Sequence, residues 1–283
     1  MLSLVIFVLK GSSVAKSLQI LCAVVVLGWL TSTCLFAKEK SLELSIFPYL
    51  TPVKIIKHNK KLKEYLSKEL HRPVSIITAR NFRTYVQKVK SGSYDFLFTA
   101  PHVGRFAQVK AGYQPIAMTT QHIQGYYVVK KYSKIKTLRD LKNKTISMAS
   151  SIAIIHQIAV QDLKMAGIEM GQDIKHYLTK GHTNAIIALL KGHSDVALSG
   201  VNMWKKLEPK YKSQLRILQE GTKVPGFLIM AHADIKPELV SKIRQSLLKF
   251  HESEEGQGYL FKGYKNISSS MMKDLDKYTN DLK

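Results

Sequence analysis

Residues 93–107 join a short apolar run directly to a helical pattern, and this junction constrains the fold most strongly. The run Tyr94–Phe98 is typical of a strand buried on both faces. It ends at Thr99-Ala100-Pro101, where Pro101 suits a first helical turn and either Thr99 or Ala100 suits the cap. A strand that feeds a helix N-terminus leaves backbone N–H groups free at the carboxyl edge of a sheet, where open α/β sheets bind ligands, anions especially. The alternative is an ordinary turn, of which every α/β protein has several.

The same construction recurs along the chain. Predicted strands 145–148, 174–178 and 195–198 each end in a polar loop that leads into a helical segment. The other predicted strands are 42–47, 73–78, 114–119, 125–130, 215–219 and 227–231, and the predicted helices are 53–70, 81–90, 101 onward, 152–165, 185–191, 237–250 and 268–282. One face of helix 53–70 is expected to carry Val53, Ile56, Leu62, Tyr65, Leu66 and Leu70. This alternation predicts an α/β protein with doubly wound, mostly parallel sheets.

The two halves of the chain look alike, with a polar break at residues 131–144 between them. We therefore expect two lobes rather than one larger sheet without a cleft. Lobe 1 comprises residues 38–130 and 225–283, and lobe 2 comprises residues 131–224. Two crossing strands, near 127–131 and 222–227, would form the hinge, and helix N-termini would oppose each other across the cleft.

The N-terminal 37 residues have the features of a signal peptide. Lys16 precedes an apolar run from Leu18 to Leu30, and cleavage is expected after Ala37. An uncleaved anchor and a lipid attached to Cys34 are the alternatives. The other cysteine, Cys22, lies in the same segment, so the mature chain has no thiol and no disulfide. The expected location is the periplasm.

Charge and motifs narrow the function classes. The formal charge is +23, but the basic residues are scattered lysines without an aromatic platform, so we expect no nucleic acid partner. The sequence lacks a nucleophile elbow, a P-loop, a zinc-protease motif and a dinucleotide fingerprint. The ten histidines show no metal spacing. We therefore expect no enzyme activity, no cofactor and no metal.

The order and spacing of several short motifs resemble a type II periplasmic solute-binding protein of the phosphate, phosphite and phosphonate branch, the PhnD-like proteins of ABC importers. The motifs are Tyr94-Asp95-Phe96 with Thr99-Ala100-Pro101-His102, Ala149-Ser150-Ser151, Gly181-His182-Thr183-Asn184-Ala185, Gly192 with Asp195-Val196-Ala197, and Val224-Pro225-Gly226. The resemblance covers about residues 42–255. It implies a two-lobed fold, a small oxyanion ligand, an ABC permease as partner, and a monomer.

The resemblance also implies the ligand-binding residues. In that family the oxyanion is held by hydroxyls at the serine turn, by a histidine that opens a lobe 2 helix, and by lobe 1 tyrosines. In this sequence these are Ser150, Ser151, His182 and Tyr49, with Thr183 as a neighbour. Thr99, Ala100, His102 and Asn202 complete the candidate set. Two other functions stay open at this point: a ligand-sensing module for a membrane sensor kinase, and an exported phosphoryl-transfer enzyme.

Overall fold

The structure, a computed structural model, describes residues 41–179 and 181–282. The expected signal peptide, with Cys22 and Cys34, lies outside the described residues. The strands are β1 Leu42–Ile46, β2 Val74–Thr78, β3 Phe96–Thr99, β4 Tyr113–Thr119, β5 Gly125–Lys130, β6 Thr145–Met148, β7 Lys175–Leu178, β8 Val196–Gly200, β9 Leu215–Glu220, β10 Leu228–His232 and β11 Tyr264–Lys265.

The helices lie between these strands and after them. They are α1 Pro52–His58, α2 Lys60–Leu70, α3 Phe82–Lys90, α4 Pro101–Lys110, α5 Ile154–Met165, α6 His182–Leu190, α7 Val201–Lys205, α8 Pro209–Lys212, α9 Pro237–Lys249 and α10 Ser269–Lys273. Short 3-10 turns span Leu138–Leu141, Phe250–Glu252, Asp276–Tyr278 and Asn280–Leu282. Within residues 41–179 and 181–282, none of the helices has the length and apolar character to cross a membrane.

The strands form two sheets of the same design. The first has the order β11-β4-β10-β3-β1-β2, and the second has the order β7-β6-β8-β5-β9. Each contains three parallel neighbours, β2-β1-β3 and β7-β6-β8, continued by antiparallel strands. The α/β class is confirmed, but the sheets are mixed rather than mostly parallel. The reason is that β10 and β5, which follow the two crossovers, run antiparallel to their neighbours β3 and β8.

The chain passes between the sheets at residues 120–124 and 221–227. These two crossovers pair with each other through backbone hydrogen bonds between Ile123 and Val224, 3.1 and 2.9 Å long. A Cβ atom on Gly226 would fall on the Thr119 hydroxyl and on the carbonyl oxygens of Thr119 and Gln121, so the close approach of the crossovers requires glycine there. The strand β5 already belongs to the second sheet, although the sequence placed the lobe boundary after residue 130.

The buried carboxylate of Asp162 on α5 fixes the second crossover. It accepts hydrogen bonds from the Thr222 hydroxyl at 2.5 Å, from the Thr222 backbone N–H at 3.1 Å and from the Tyr127 hydroxyl at 3.3 Å. A buried carboxylate requires such partners to offset its desolvation. Asp162 therefore links α5 and β5 to the point where the chain leaves the second sheet.

Two of the predicted helices are interrupted in the structure. The predicted helix 53–70 is broken at Asn59, whose side chain donates to the Ile55 carbonyl at 2.8 Å and accepts from the Tyr259 hydroxyl at 2.9 Å. Because α1 is a separate helix, the predicted apolar face is wrong in this part of the chain. Ile55 is buried, whereas Val53 and Ile56 are 76% and 52% exposed. The predicted helix 268–282 forms only α10 and two 3-10 turns.

Candidate functional site

The junction between β3 and α4 has the predicted form. Ala100 is the residue before the helix, in an extended conformation with φ −63° and ψ 145°, and Pro101 opens the first turn. Thr99, Ala100 and His102 are fully buried. The backbone N–H groups of His102 and Val103 have no hydrogen-bond partner within the described chain. The positive end of α4 is therefore free to interact with an anion.

His102 connects this junction to the second sheet. Its Nε2 lies 2.8 Å from the carbonyl oxygen of Ile152, in the loop that follows β6. Burial lowers the pKa of His102 to about 4, although the Ile152 carbonyl and the Asp281 carboxylate both favour the protonated form. The imidazole is consequently neutral near pH 7, with its proton on Nε2 because that nitrogen faces an acceptor.

The loop carrying Ser150 and Ser151 precedes α5 without capping it. The helix α5 begins at Ile154 with Ala153 before it, two residues later than predicted. The Ser150 carbonyl accepts from the Ala153 N–H at 3.0 Å, which forms a turn ahead of the helix. Both serines are only partly buried. Their loop thus lies between the end of β6 and α5, against His102.

The loop after β7 lies beside the same strand end. The Thr179 N–H and hydroxyl both donate to the Met148 carbonyl, at 2.8 and 3.2 Å, so this loop adjoins the segment that leads to Ser150. The helix α6 starts at His182, three residues earlier than predicted. Burial lowers the pKa of His182, and its buried Nδ1 has no partner among the residues described. Thr183 is exposed.

The other two candidates point elsewhere. Tyr49 follows β1 and packs against Phe227, with ring centroids 5.4 Å apart, but its hydroxyl accepts from Asn59 Nδ2 at 3.5 Å. Burial raises the pKa of Tyr49. Asn202 is exposed on α7, and its side-chain oxygen accepts from Gln121 Nε2 of the first crossover at 3.1 Å. The structure therefore brings seven of the predicted residues to one edge, namely Thr99, Ala100, His102, Ser150, Ser151, His182 and the exposed Thr183.

Three helices, α4, α5 and α6, begin at this edge without a capping side chain. Within the described residues they have no side-chain cap hydrogen bond, and none has an acidic residue in its first turn. The same is true of α1, α2, α7 and α8, whereas Asn81 caps α3 through its side-chain oxygen, 2.9 Å from the Thr84 N–H, and α9 has Glu238 in its first turn. The N-termini of these three helices, which are 9 to 12 residues long, are thus left without a compensating negative group. Such an arrangement stabilises a bound anion through N–H donors and helix dipoles.

Sequence reasoning missed two polar residues at this edge. Ser199, near the end of β8, is fully buried with an unpartnered hydroxyl as far as the described residues show. Gln157, on α5, donates to the Ser151 carbonyl at 2.8 Å and is 3% exposed. Ser199 could have been found from the sequence, because it is a polar residue at the end of an apolar strand. Gln157 could not, because a glutamine on a helix gives no comparable signal.

A family model described as the periplasmic substrate-binding protein of phosphonate ABC transporters matches residues 44–270. The chain belongs to this family. Its members are solute-binding proteins of ABC importers, not enzymes, so the phosphoryl-transfer alternative is set aside. The family also gives the periplasm as the location and an ABC permease as the partner.

Solved structures show the same two-lobed fold. PhnD1 of Prochlorococcus marinus, in complex with methylphosphonate, is 18% identical with a TM-score of 0.73, covering 86% of this chain and 98% of that one. A Xanthomonas citri protein bound to ATP is 16% identical with a TM-score of 0.72, covering 86% and 97%. A binding protein of a Pseudomonas aeruginosa phosphonate transporter is 14% identical with a TM-score of 0.69, covering 86% and 87%. At these identities the likeness concerns the fold.

Proposed function

We propose that this phosphonate-family protein binds one small oxyanion, a phosphonate, phosphite or phosphate, between its lobes and releases it unchanged to the permease. The convergence of three uncapped helix N-termini on one edge is the observation that carries this proposal. Their N–H groups, with the Ser150, Ser151 and Thr183 hydroxyls, are donors matched to phosphoryl oxygens. The methylphosphonate bound to PhnD1 is a ligand of this class.

A ligand that contacts both lobes favours the closed arrangement of the lobes. A ligand shifts a conformational equilibrium only by its differential contacts with the two states. In this proposal His102 belongs to lobe 1, and Ser151 and His182 belong to lobe 2. The crossovers at 120–124 and 221–227 are the hinge, and the His102–Ile152 hydrogen bond joins the lobes in the arrangement described.

The binding residues are tested by alanine substitution. S151A and H182A should each weaken methylphosphonate or phosphate binding by about 1–3 kcal/mol, the usual loss for a buried polar partner. The measurement is isothermal titration calorimetry on purified protein. K206A, which changes an exposed residue on the C-terminal side of α7, should bind as the parent does. If both site variants bind as tightly as the parent, the ligand site lies elsewhere.

Export and assembly complete the proposal. We expect the signal segment to be cleaved after Ala37, giving a soluble monomer with a formal charge of +21 and no affinity for nucleic acid. Sequencing the N-terminus of the exported protein should give Lys38 as its first residue. Fatty-acid labelling at Cys34 and recovery in the membrane fraction would support the lipoprotein alternative instead.

A further inference from the structure

The C-terminal segment, residues 268–282, lies against α4 and α5, two of the three helices whose N-termini meet at the proposed site. On α4, Arg105 donates to both carboxylate oxygens of Asp276, at 2.7 and 3.1 Å. On α5, Gln161 Nε2 donates to the Lys277 carbonyl at 3.1 Å. The apolar side chains of the segment are buried in the core shared with these helices, namely Met272, Leu275, Tyr278 and Leu282.

One hydrogen-bond pair connects this segment to the serine loop. Gln157 Nε2 donates to the Asp281 carboxylate at 2.7 Å and to the Ser151 carbonyl at 2.8 Å. A glutamine amide nitrogen has two hydrogens, so both donors are used. The Gln157 side chain is almost completely buried, so losing the Ser151 carbonyl as an acceptor leaves a buried donor without compensation. Asp281 itself is exposed, so water partly replaces its carboxylate when that acceptor is removed.

These contacts fix the direction of successive carbonyls in the loop. The Ser150 carbonyl accepts from Ala153 N–H, the Ser151 carbonyl from Gln157, and the Ile152 carbonyl from His102. In a trans peptide the C=O and the next N–H point in opposite directions. Because the Ser151 carbonyl points towards Gln157, the Ile152 N–H points in the opposite direction. It donates to the Ser150 hydroxyl at 3.4 Å.

We propose that Gln157 is a positioning residue for oxyanion binding, and that Asp281 of the C-terminal segment holds Gln157 in place. This inference rests on the proposed function. Gln157 holds the loop so that the hydroxyls of Ser150 and Ser151 face the ligand, and the carboxylate of Asp281 holds the amide through a charge-assisted hydrogen bond.

The test compares four variants with the parent. Q157M removes both donors at similar volume and should weaken methylphosphonate binding about tenfold, the loss of roughly one buried hydrogen bond. D281A should weaken binding in the same direction, whereas D281N keeps an acceptor oxygen and should restore parental affinity. Q161M is the matched control, because Gln161 contacts the same segment one turn further along α5 but not the serine loop. Calorimetry gives the affinities, and hydrogen exchange of amides 150–153 in ligand-free protein reports the loop.

The outcomes separate this inference from the proposed function. Faster exchange and weaker binding in Q157M and D281A, with D281N and Q161M unchanged, support the positioning role. Equal affinities and exchange rates in all variants overturn it. If all four variants lose affinity in proportion to their loss of melting temperature, the positioning role is also overturned, because the effect then comes from packing alone. If the parent binds no oxyanion the proposed function fails, while the exchange rates still decide whether Gln157 holds the loop.

Discussion

Several polar side-chain atoms are buried without a hydrogen-bond partner. Within the described residues they are Nδ1 of His102, His156 and His182 and the hydroxyls of Ser45, Thr99 and Ser199. Thr99, His102, His182 and Ser199 belong to the strand ends and helix N-termini of the candidate site. Most buried polar atoms in native proteins are paired, so such atoms require an explanation. The hydroxyls and the His182 ring can donate to a bound anion, whereas His102 Nδ1 is an acceptor when the proton is on Nε2, so its partner must be a donor such as water.

His102 makes a prediction about stability and pH. Its pKa is about 4 in the folded protein against 6.5 in the unfolded chain, so the unfolded state binds more protons between these values. The stability of the fold is then unaffected above pH 6.5 and falls by about 3 kcal/mol as the pH is lowered to 4. H102Q should not show this contribution to the loss of stability at low pH. Urea unfolding of parent and variant at pH 7.5 to 4 measures it. If the free energy of unfolding falls in parallel for both proteins, the prediction is contradicted.

At the scale of elements, the helices differ in whether a side chain caps their N-terminus. The helix α3 has a conventional Asn81 cap, and the turn Leu138–Leu141 has a capping box made by Thr137 and Asp140. Among the described helices α4, α5 and α6 have neither device, and α1, α2, α7 and α8 also have neither. What distinguishes α4, α5 and α6 is their position, because the loops before them are connected by the His102–Ile152 and Thr179–Met148 hydrogen bonds. In the proposed function a bound anion supplies the negative charge at these three helix ends.

The uncapped N-terminus of α6 predicts that one substitution has opposite effects on stability and on ligand affinity. Thr183 is exposed in the first turn of α6, so T183D should stabilise the ligand-free protein slightly through the helix dipole, by about 0.3–1 kcal/mol. The same carboxylate should repel a bound oxyanion and weaken binding at least about tenfold, since like charges this close cost more than one kcal/mol. T183N, without the charge, is the control. Thermal melts and calorimetry measure the two effects, and unchanged affinity in T183D would show that α6 does not face the ligand.

Local chemistry allowed most elements to be predicted, and the failures have physical causes. The β3–α4 junction, the Asn81 cap and the 3-10 turn after Thr137 follow from residues adjacent in sequence. The break at Asn59 depends on Tyr259, which is 200 residues away. Of the candidate site, the strand ends that carry Thr99, Ser150 and His182 were predictable. The roles of Gln157 and Asp281 were not, because they depend on how the C-terminal segment packs.

For the whole molecule, the paired crossovers and the C-terminal segment connect the two lobes. The crossovers are joined by the Ile123–Val224 hydrogen bonds and anchored by Asp162 through Thr222. The C-terminal segment adds a further connection between α4 and α5. In the proposed function, opening the cleft would break the His102–Ile152 hydrogen bond, and a ligand that contacts both sides would favour the closed arrangement.

The most direct test of this account is a calorimetric titration of the purified protein with methylphosphonate, phosphite, phosphate, sulfate and acetate, followed by analysis of the recovered ligand. We expect at least one phosphorus oxyanion to bind with a stoichiometry of one and to be recovered chemically unchanged. Acetate should bind weakly, because a carboxylate offers fewer oxygens to the N–H and hydroxyl donors of the site. Absence of binding by every phosphorus oxyanion, or conversion of the ligand during the titration, would contradict the account.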